Sequence, residues 1–152
     1  MIPKTELRYS WKYCKNLNSE ISKREFLKLK RDNQKFEKLY NKHIKQILKL
    51  IEKYHGKQWI YRFIPIYIVL KAPSSRSDPL TLNYKKNEKF QLIILIHELL
   101  HNNMKNMYKK FKNSEESHKY MESIVNKITR DLPINLKKEL NLFNKKTKEP
   151  HF

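Results

Sequence analysis

A chain of 152 residues with 39% hydrophobic and 12% aromatic content and a single glycine is long enough for one domain with its own apolar core, which excludes a collagen-like or wholly disordered polymer. Its one cysteine, Cys14, cannot close an internal disulfide, so a small disulfide-stapled secreted scaffold is excluded and a reducing compartment is expected. The formal net charge is +19, from 34 Lys+Arg against 15 Asp+Glu, which excludes an acidic surface and admits polyanionic partners.

Along the chain, the first eighteen residues read as irregular. From Ser19, with Ser22 and Glu25 as nearby capping residues, neither proline nor glycine interrupts the sequence before Gly56. Phe26, Leu29, Phe36, Leu39, Tyr40, Ile44, Ile47, Leu48 and Ile51 recur mostly three and four apart. That spacing predicts one long amphipathic helix over about 19–55, with Lys, Glu, Asn and Gln on its outer face. After Gly56 the composition shifts to β-branched and aromatic residues, which predicts a strand over about 64–70. Pro65 cannot donate to a ladder, so it belongs at the strand's start or on an open edge.

Residues 71–79, Lys-Ala-Pro-Ser-Ser-Arg-Ser-Asp-Pro, read as a loop. Leu80–Tyr84 reads as a second strand, antiparallel to the first because the connection is too short for a crossover helix. A buried helix is predicted from an Asn87 cap to about Met107, since Phe90 to Leu100 leaves almost no polar face. A further helix opens at Asn113, with Glu116 three residues on as in a capping box, and runs to about Asp131. Pro133 separates it from a last helix carrying Ile134, Leu136, Leu140, Leu142 and Phe143, followed by a frayed Lys-rich tail to Phe152. The expected fold class is α+β and mostly helical, in one domain over residues 1–152.

The chemistry concentrates in Ile93-Ile-Leu-Ile-His97-Glu98-Leu-Leu-His101. Two histidines four apart on a helix point the same way and hold one zinc ion between them, while the glutamate beside the first reaches a zinc-bound water. At this chain's His and Glu frequencies such an HExxH arises by chance roughly 0.02 times. Two imidazoles and a carboxylate on an otherwise apolar helix also need a partner, and a metal suits them. A catalytic zinc takes a third protein ligand. The positions where the glycine and the third histidine would follow in the metzincin spacing hold Met104 and Met107. On the next predicted helix, Glu122 lies twenty residues beyond His101 and Asn126 one turn further, where an amide could hold a histidine ring by its outer nitrogen. His118 is the rival third ligand.

With these residues the sequence resembles the zincin metallopeptidases, of the gluzincin type in which HExxH is followed by a ligand glutamate on the next helix. Glu122 matches that ligand, and Asn126 stands where thermolysin-like members carry an aspartate. The resemblance covers about residues 59–130 and leaves the long helix of about 19–55 and the segment 133–152 outside. It implies a minimal core of small antiparallel sheet, active-site helix and third-ligand helix, with Leu80–Tyr84 as the edge strand bordering a substrate cleft. It also implies one Zn²⁺ per chain, bound by His97, His101 and Glu122, with Glu98 as general base in peptide hydrolysis. His118, Tyr108, Tyr120 and Tyr84 are candidate donors to the substrate oxyanion.

Two other classes remain open at this point: a catalytically weak zincin-fold binding or regulatory module, and a basic nucleic-acid-binding protein. Of the basic residues 28 are lysine and six arginine, spread evenly along the chain. Arginine is the better fork for phosphates and guanine edges, so solvated helix faces are the favoured reading of the charge. The basic surface still admits an acidic or nucleoprotein partner beside a peptide or protein substrate. The N-terminus lacks a signal-like apolar stretch, and the apolar runs 63–70 and 92–96 fall short of the ~20 residues of a membrane helix. A soluble cytoplasmic protein without membrane association is expected.

Overall fold

The computed structural model describes residues 1–105 and 110–147. The fold is α+β and dominated by helix. In chain order it comprises β1 (Lys4–Arg8), α1 (Trp11–Leu17), α2 (Lys23–Asp32), α3 (Gln34–His55), β2 (Phe63–Val69), β3 (Arg76–Ser77), β4 (Leu80–Asn83), α4 (Glu88–Asn103), α5 (Ser114–Asp131) and α6 (Lys137–Lys146). Among the described residues no helix is long and apolar enough to cross a membrane.

The sheet corrects the expectation of a small antiparallel one. It is mixed, in the order β1-β2-β4-β3. β2 runs parallel to β1 and to β4, and the antiparallel partner of β4 is the two-residue β3. The chain reverses between Leu70 and Arg76, inside the segment read as loop, and reverses again at Asp78-Pro79. Two reversals restore the original direction, so β4 needs no crossover helix to lie parallel to β2. The edge next to β4 is therefore β3, and Leu80–Asn83 is an inner strand.

The other unexpected strand is β1, in the segment read as irregular. Its alternating Lys4, Glu6 and Arg8 carry no continuous apolar signal, and it exists because β2 offers an open edge with which it pairs from Lys4↔Phe63 to Arg8↔Tyr67. Pro65 lies opposite Glu6 on that side, while β4 pairing begins only at Tyr67. The proline thus occupies the stretch of β2 that β4 leaves open, where its missing N–H costs no ladder bond.

The expected long helix is two. Ser22 caps α2 in a full capping box with Glu25, and the helix stops at Asn33, which is fully buried. The Asn33 side chain donates to Tyr9 Oη (2.9 Å) and accepts from Gln91 Nε2 on α4 (2.9 Å). Asparagine competes well with regular helix by bonding through its own amide, so the break places one buried carboxamide between the segment after β1 and α4. α3 then runs 22 residues to Gly56, whose left-handed φ of 74° closes it as glycine readily does. Its buried stripe of Phe36, Tyr40, Ile44, Ile47, Leu48 and Ile51 packs in the main core with Ile64, Ile66 and Ile68 of β2 and the apolar body of α4.

Candidate functional site

α4 sets the site. Asn87 caps it by accepting from the backbone N–H of Lys89 and Phe90 (3.0 and 3.1 Å), and Gln91 Oε1 accepts from Lys85 N (2.8 Å), which fastens the turn from β4. Residues Phe90 to Ile96, Leu99 and Leu100 are buried, as the near-continuous apolar run predicts. The helix ends at Asn103, short of the expected Met107, with Met104 as its cap, and residues 106–109 lie outside the described residues.

His97 and His101 stand one turn apart with Nε2 atoms separated by 3.0 Å and rings at 82°. Burial, then the neighbouring His101, then His118 push the His97 pKa down to about 3. Burial and then His118 push His101 down to about 4. Both rings are therefore neutral at pH 7 and carry a lone pair each. Glu98 is 9% exposed, and desolvation raises its carboxyl pKa to about 7. A carboxyl poised there takes up and releases protons near neutrality, the property a general base needs.

Two cavities meet at this point. The first, about 580 Å³, is lined by Pro73, Ser74, Ser75 and Asn83 on the sheet side, His97 and Glu98 on α4, His118 on α5, and Phe143, Lys146 and Thr147 from α6 and its cap. The second, about 390 Å³, shares His97, His118, Phe143 and Thr147 and continues to Glu115, Glu122 and Asn144. The 73–75 wall is held rigidly to β4. Asn83 accepts from Ala72 N (3.1 Å) and donates to Ala72 O (2.9 Å), and Ser75 Oγ accepts from Asn83 N (3.0 Å). The edge strand β3 is tied to α4 by Asn102 Nδ2 donating to Ser77 O (3.0 Å).

The structure brings His97, Glu98 and His118 to the lining of the first cavity, with His101 3.0 Å from His97, and Glu122 lines the second cavity with His97 and His118. The charge of His118 is felt at both α4 histidines, and neither pKa shift carries a contribution from Glu122. Among the described residues, no group of three or more His, Cys, Asp or Glu side chains stands close enough to enclose an ion. The remaining candidates go elsewhere. Asn126 Oδ1 accepts from Asn144 Nδ2 on α6 (3.2 Å), joining α5 to α6. Tyr120 Oη bonds His55 Nδ1 at the end of α3 (2.7 Å). Tyr84 lines a separate cavity with Arg31, Lys35 and Lys86, and Lys85 borders both that cavity and the cleft. Tyr108 lies outside the described residues.

Sequence reasoning missed α6 as a wall of the site. Phe143 packs its ring 5.2 Å from that of His97 and 6.2 Å from Phe90. Nothing local separates Phe143 from an ordinary core residue, so only the docking of α6 on α4 exposes its role.

The donor set fits a zinc ion at the two α4 histidines. With Zn–N bonds of about 2.0–2.1 Å and tetrahedral angles, two ligand nitrogens stand roughly 3.3 Å apart, close to the 3.0 Å found between the Nε2 atoms. The site also lies in the last turn of α4, where the negative end of the helix dipole favours a cation. No family model matches the chain, and neither a curated protein nor a solved structure matches it.

Proposed function

We propose that the protein is a zinc-dependent metallopeptidase with a zincin-like core. The observation that carries this reading is the 3.0 Å approach of His97 and His101 Nε2 beside the buried Glu98, at the meeting point of two cavities. His97 and His101 would hold the ion, with α5 supplying the third ligand. Glu122 keeps the gluzincin spacing for that role, and His118 is the group whose charge both α4 histidines feel. When bound, zinc would supply Lewis acidity and a water of lowered pKa.

The chain's own residues do the rest. Glu98, already desolvated, takes the proton of the attacking water and returns it to the leaving amine. Phe143 and Phe90 exclude bulk water from one side of His97, which strengthens charge interactions in the cleft. His118 is exposed and able to turn towards either cavity, so where it does not bind metal it is the nearest donor to a developing oxyanion.

Metal analysis of the purified protein tests the reading, with wild type beside Glu122→Ala and His118→Ala. One zinc per chain is expected in the wild type, and its loss in one variant names the third ligand. A wild type that binds no zinc would overturn the proposal. A second reading, a metal-retaining binding module with little hydrolysis, draws on the lack of a closed three-residue cluster among the described residues. Bound zinc without chelator-sensitive cleavage of peptide libraries would favour it.

A further inference from the structure

The polar groups around the cleft are of one charge. Of the residues lining the first cavity, Lys85 at the end of β4 and Lys146 near the end of α6 are cationic, and Glu98 is the one carboxylate, its ionised form opposed by burial. Both lysines are exposed, and among the described residues neither makes an ion pair. Lys71, Lys105 and Lys119 are each held by a carboxylate, at Glu25, Asp78 and Glu115, whereas most described lysines make no ion pair, so what sets Lys85 and Lys146 apart is their place on the lining of one cavity.

Beside the two lysines the lining carries the hydroxyls of Ser74, Ser75 and Thr147, the last already donating to Asn144 O, over an apolar floor of Phe90, Ile94 and Phe143, with Lys146 Nζ 5.2 Å from the Phe90 ring centroid. Ser75 Oγ already accepts from Asn83 N, so its own O–H is left to donate outwards. Past His118 the second cavity turns acidic with Glu115 and Glu122, and there Lys119 is engaged by Glu115.

We propose that the Lys85–Lys146 end of the cleft is a specificity subsite that selects peptides bearing an acidic side chain next to the bond presented to Glu98. This rests on the peptidase reading for its place in the reaction, and the chemistry of recognition is independent of it. A carboxylate entering between the two lysines gains charge-assisted hydrogen bonds in a partly water-excluded site. The same group placed at the Glu115–Glu122 end meets like charge. The subsite thereby fixes which way a peptide lies as well as which peptide binds.

Binding of short peptides to the Glu98→Gln protein, which holds substrate without turning it over, provides the test. Two peptides identical but for a central Glu or Gln, carrying an uncharged fluorophore, are titrated by anisotropy. The Glu peptide is expected to bind roughly three- to tenfold more tightly, and Lys85→Gln/Lys146→Gln should abolish that preference. The control Lys28→Gln/Lys42→Gln removes the same charge from exposed positions on α2 and α3 outside every cavity described, and it should retain the preference. Equal binding of the two peptides, or equal loss in the control, would overturn the subsite and assign any affinity to the overall charge. Preference without hydrolysis by the wild type would leave the subsite standing and remove the peptidase reading. Hydrolysis without preference would do the reverse.

Discussion

α3 and α4 lie side by side in the core, and each carries two histidines, buried on α3 and half-buried on α4, yet only one of them builds a candidate site. On α3, His43 and His55 are separated by more than three turns. Burial depresses both pKa values, and His55 is occupied through Nδ1 by Tyr120 while its Nε2 is buried without a partner among the described residues. On α4, His97 and His101 share one face and approach to 3.0 Å, and His97 opens into a cavity that the neighbouring Glu98 carboxyl also lines. Desolvation acts on all four rings. What distinguishes α4 is convergence of lone pairs towards a common point with access from outside, which burial alone does not provide.

The largest test of that contrast is Glu98→Gln, which should keep zinc and lower peptide hydrolysis by about 10²–10⁴-fold, the usual contribution of a general base. An active variant would remove Glu98 from the chemistry. Next, His97→Ala should lose the metal, whereas His55→Ala should keep it and instead lower stability by about 1–3 kcal/mol, because Tyr120 Oη and the space around the ring are left unfilled. Atomic absorption and urea unfolding of the two variants read out both halves. Equal zinc loss in both would collapse the distinction between the helices.

A comparable effect is expected at the junction that aligns the two helices. Asn33→Ala orphans Gln91 Nε2 inside the core and removes a donor from Tyr9 Oη, which keeps its bond to Glu37, and should cost about 1–3 kcal/mol in urea unfolding. Stability of the metal-free protein should also respond to acid. His43, His55, His97 and His101 have folded pKa values below the ordinary 6.5, so above that pH their contribution is intact. As pH falls through 6.5 the unfolded chain binds protons that the folded chain refuses, and stability is lost towards about 4 for His101 and about 3 for His97. Glu98 opposes this, because its raised pKa makes the folded state the better proton binder below about 7. Four histidines against one carboxyl give a net fall in the urea midpoint between pH 6 and 4, and a flat profile would contradict the burial assigned to the rings. The smallest effect belongs to the exposed Lys119–Glu115 pair on α5, where Lys119→Ala should change stability by no more than about 0.5 kcal/mol.

How much of this was legible in the sequence differs by region for physical reasons. α4, α5 and their caps were readable because their signals are local: an apolar run, an Asn cap and a residue count to Asp131. The HExxH pair was readable because helical spacing alone fixes its geometry. The break at Asn33 was not, since its stabilising partners, Tyr9 and Gln91, lie 24 and 58 residues away. The parallel pairing of β2 and β4 depends on a two-residue strand whose sequence, Arg-Ser, carries no strand propensity. The α6 wall depends on docking that no periodicity encodes.

One consequence concerns β1, whose Lys4, Glu6 and Arg8 alternate along the sheet's rim with Glu6 and Arg8 paired at 3.2 Å. Removing the chain before Ser10 would uncover the backbone hydrogen-bonding groups of β2, a strand rich in isoleucine and free of charged side chains. Strand-by-strand self-association is then the expected fate of the truncated protein, because an uncharged, unpaired β edge is a template for a second copy. The charged rim therefore acts as a guard against polymerisation, and it is supplied by a segment whose sequence reads as irregular.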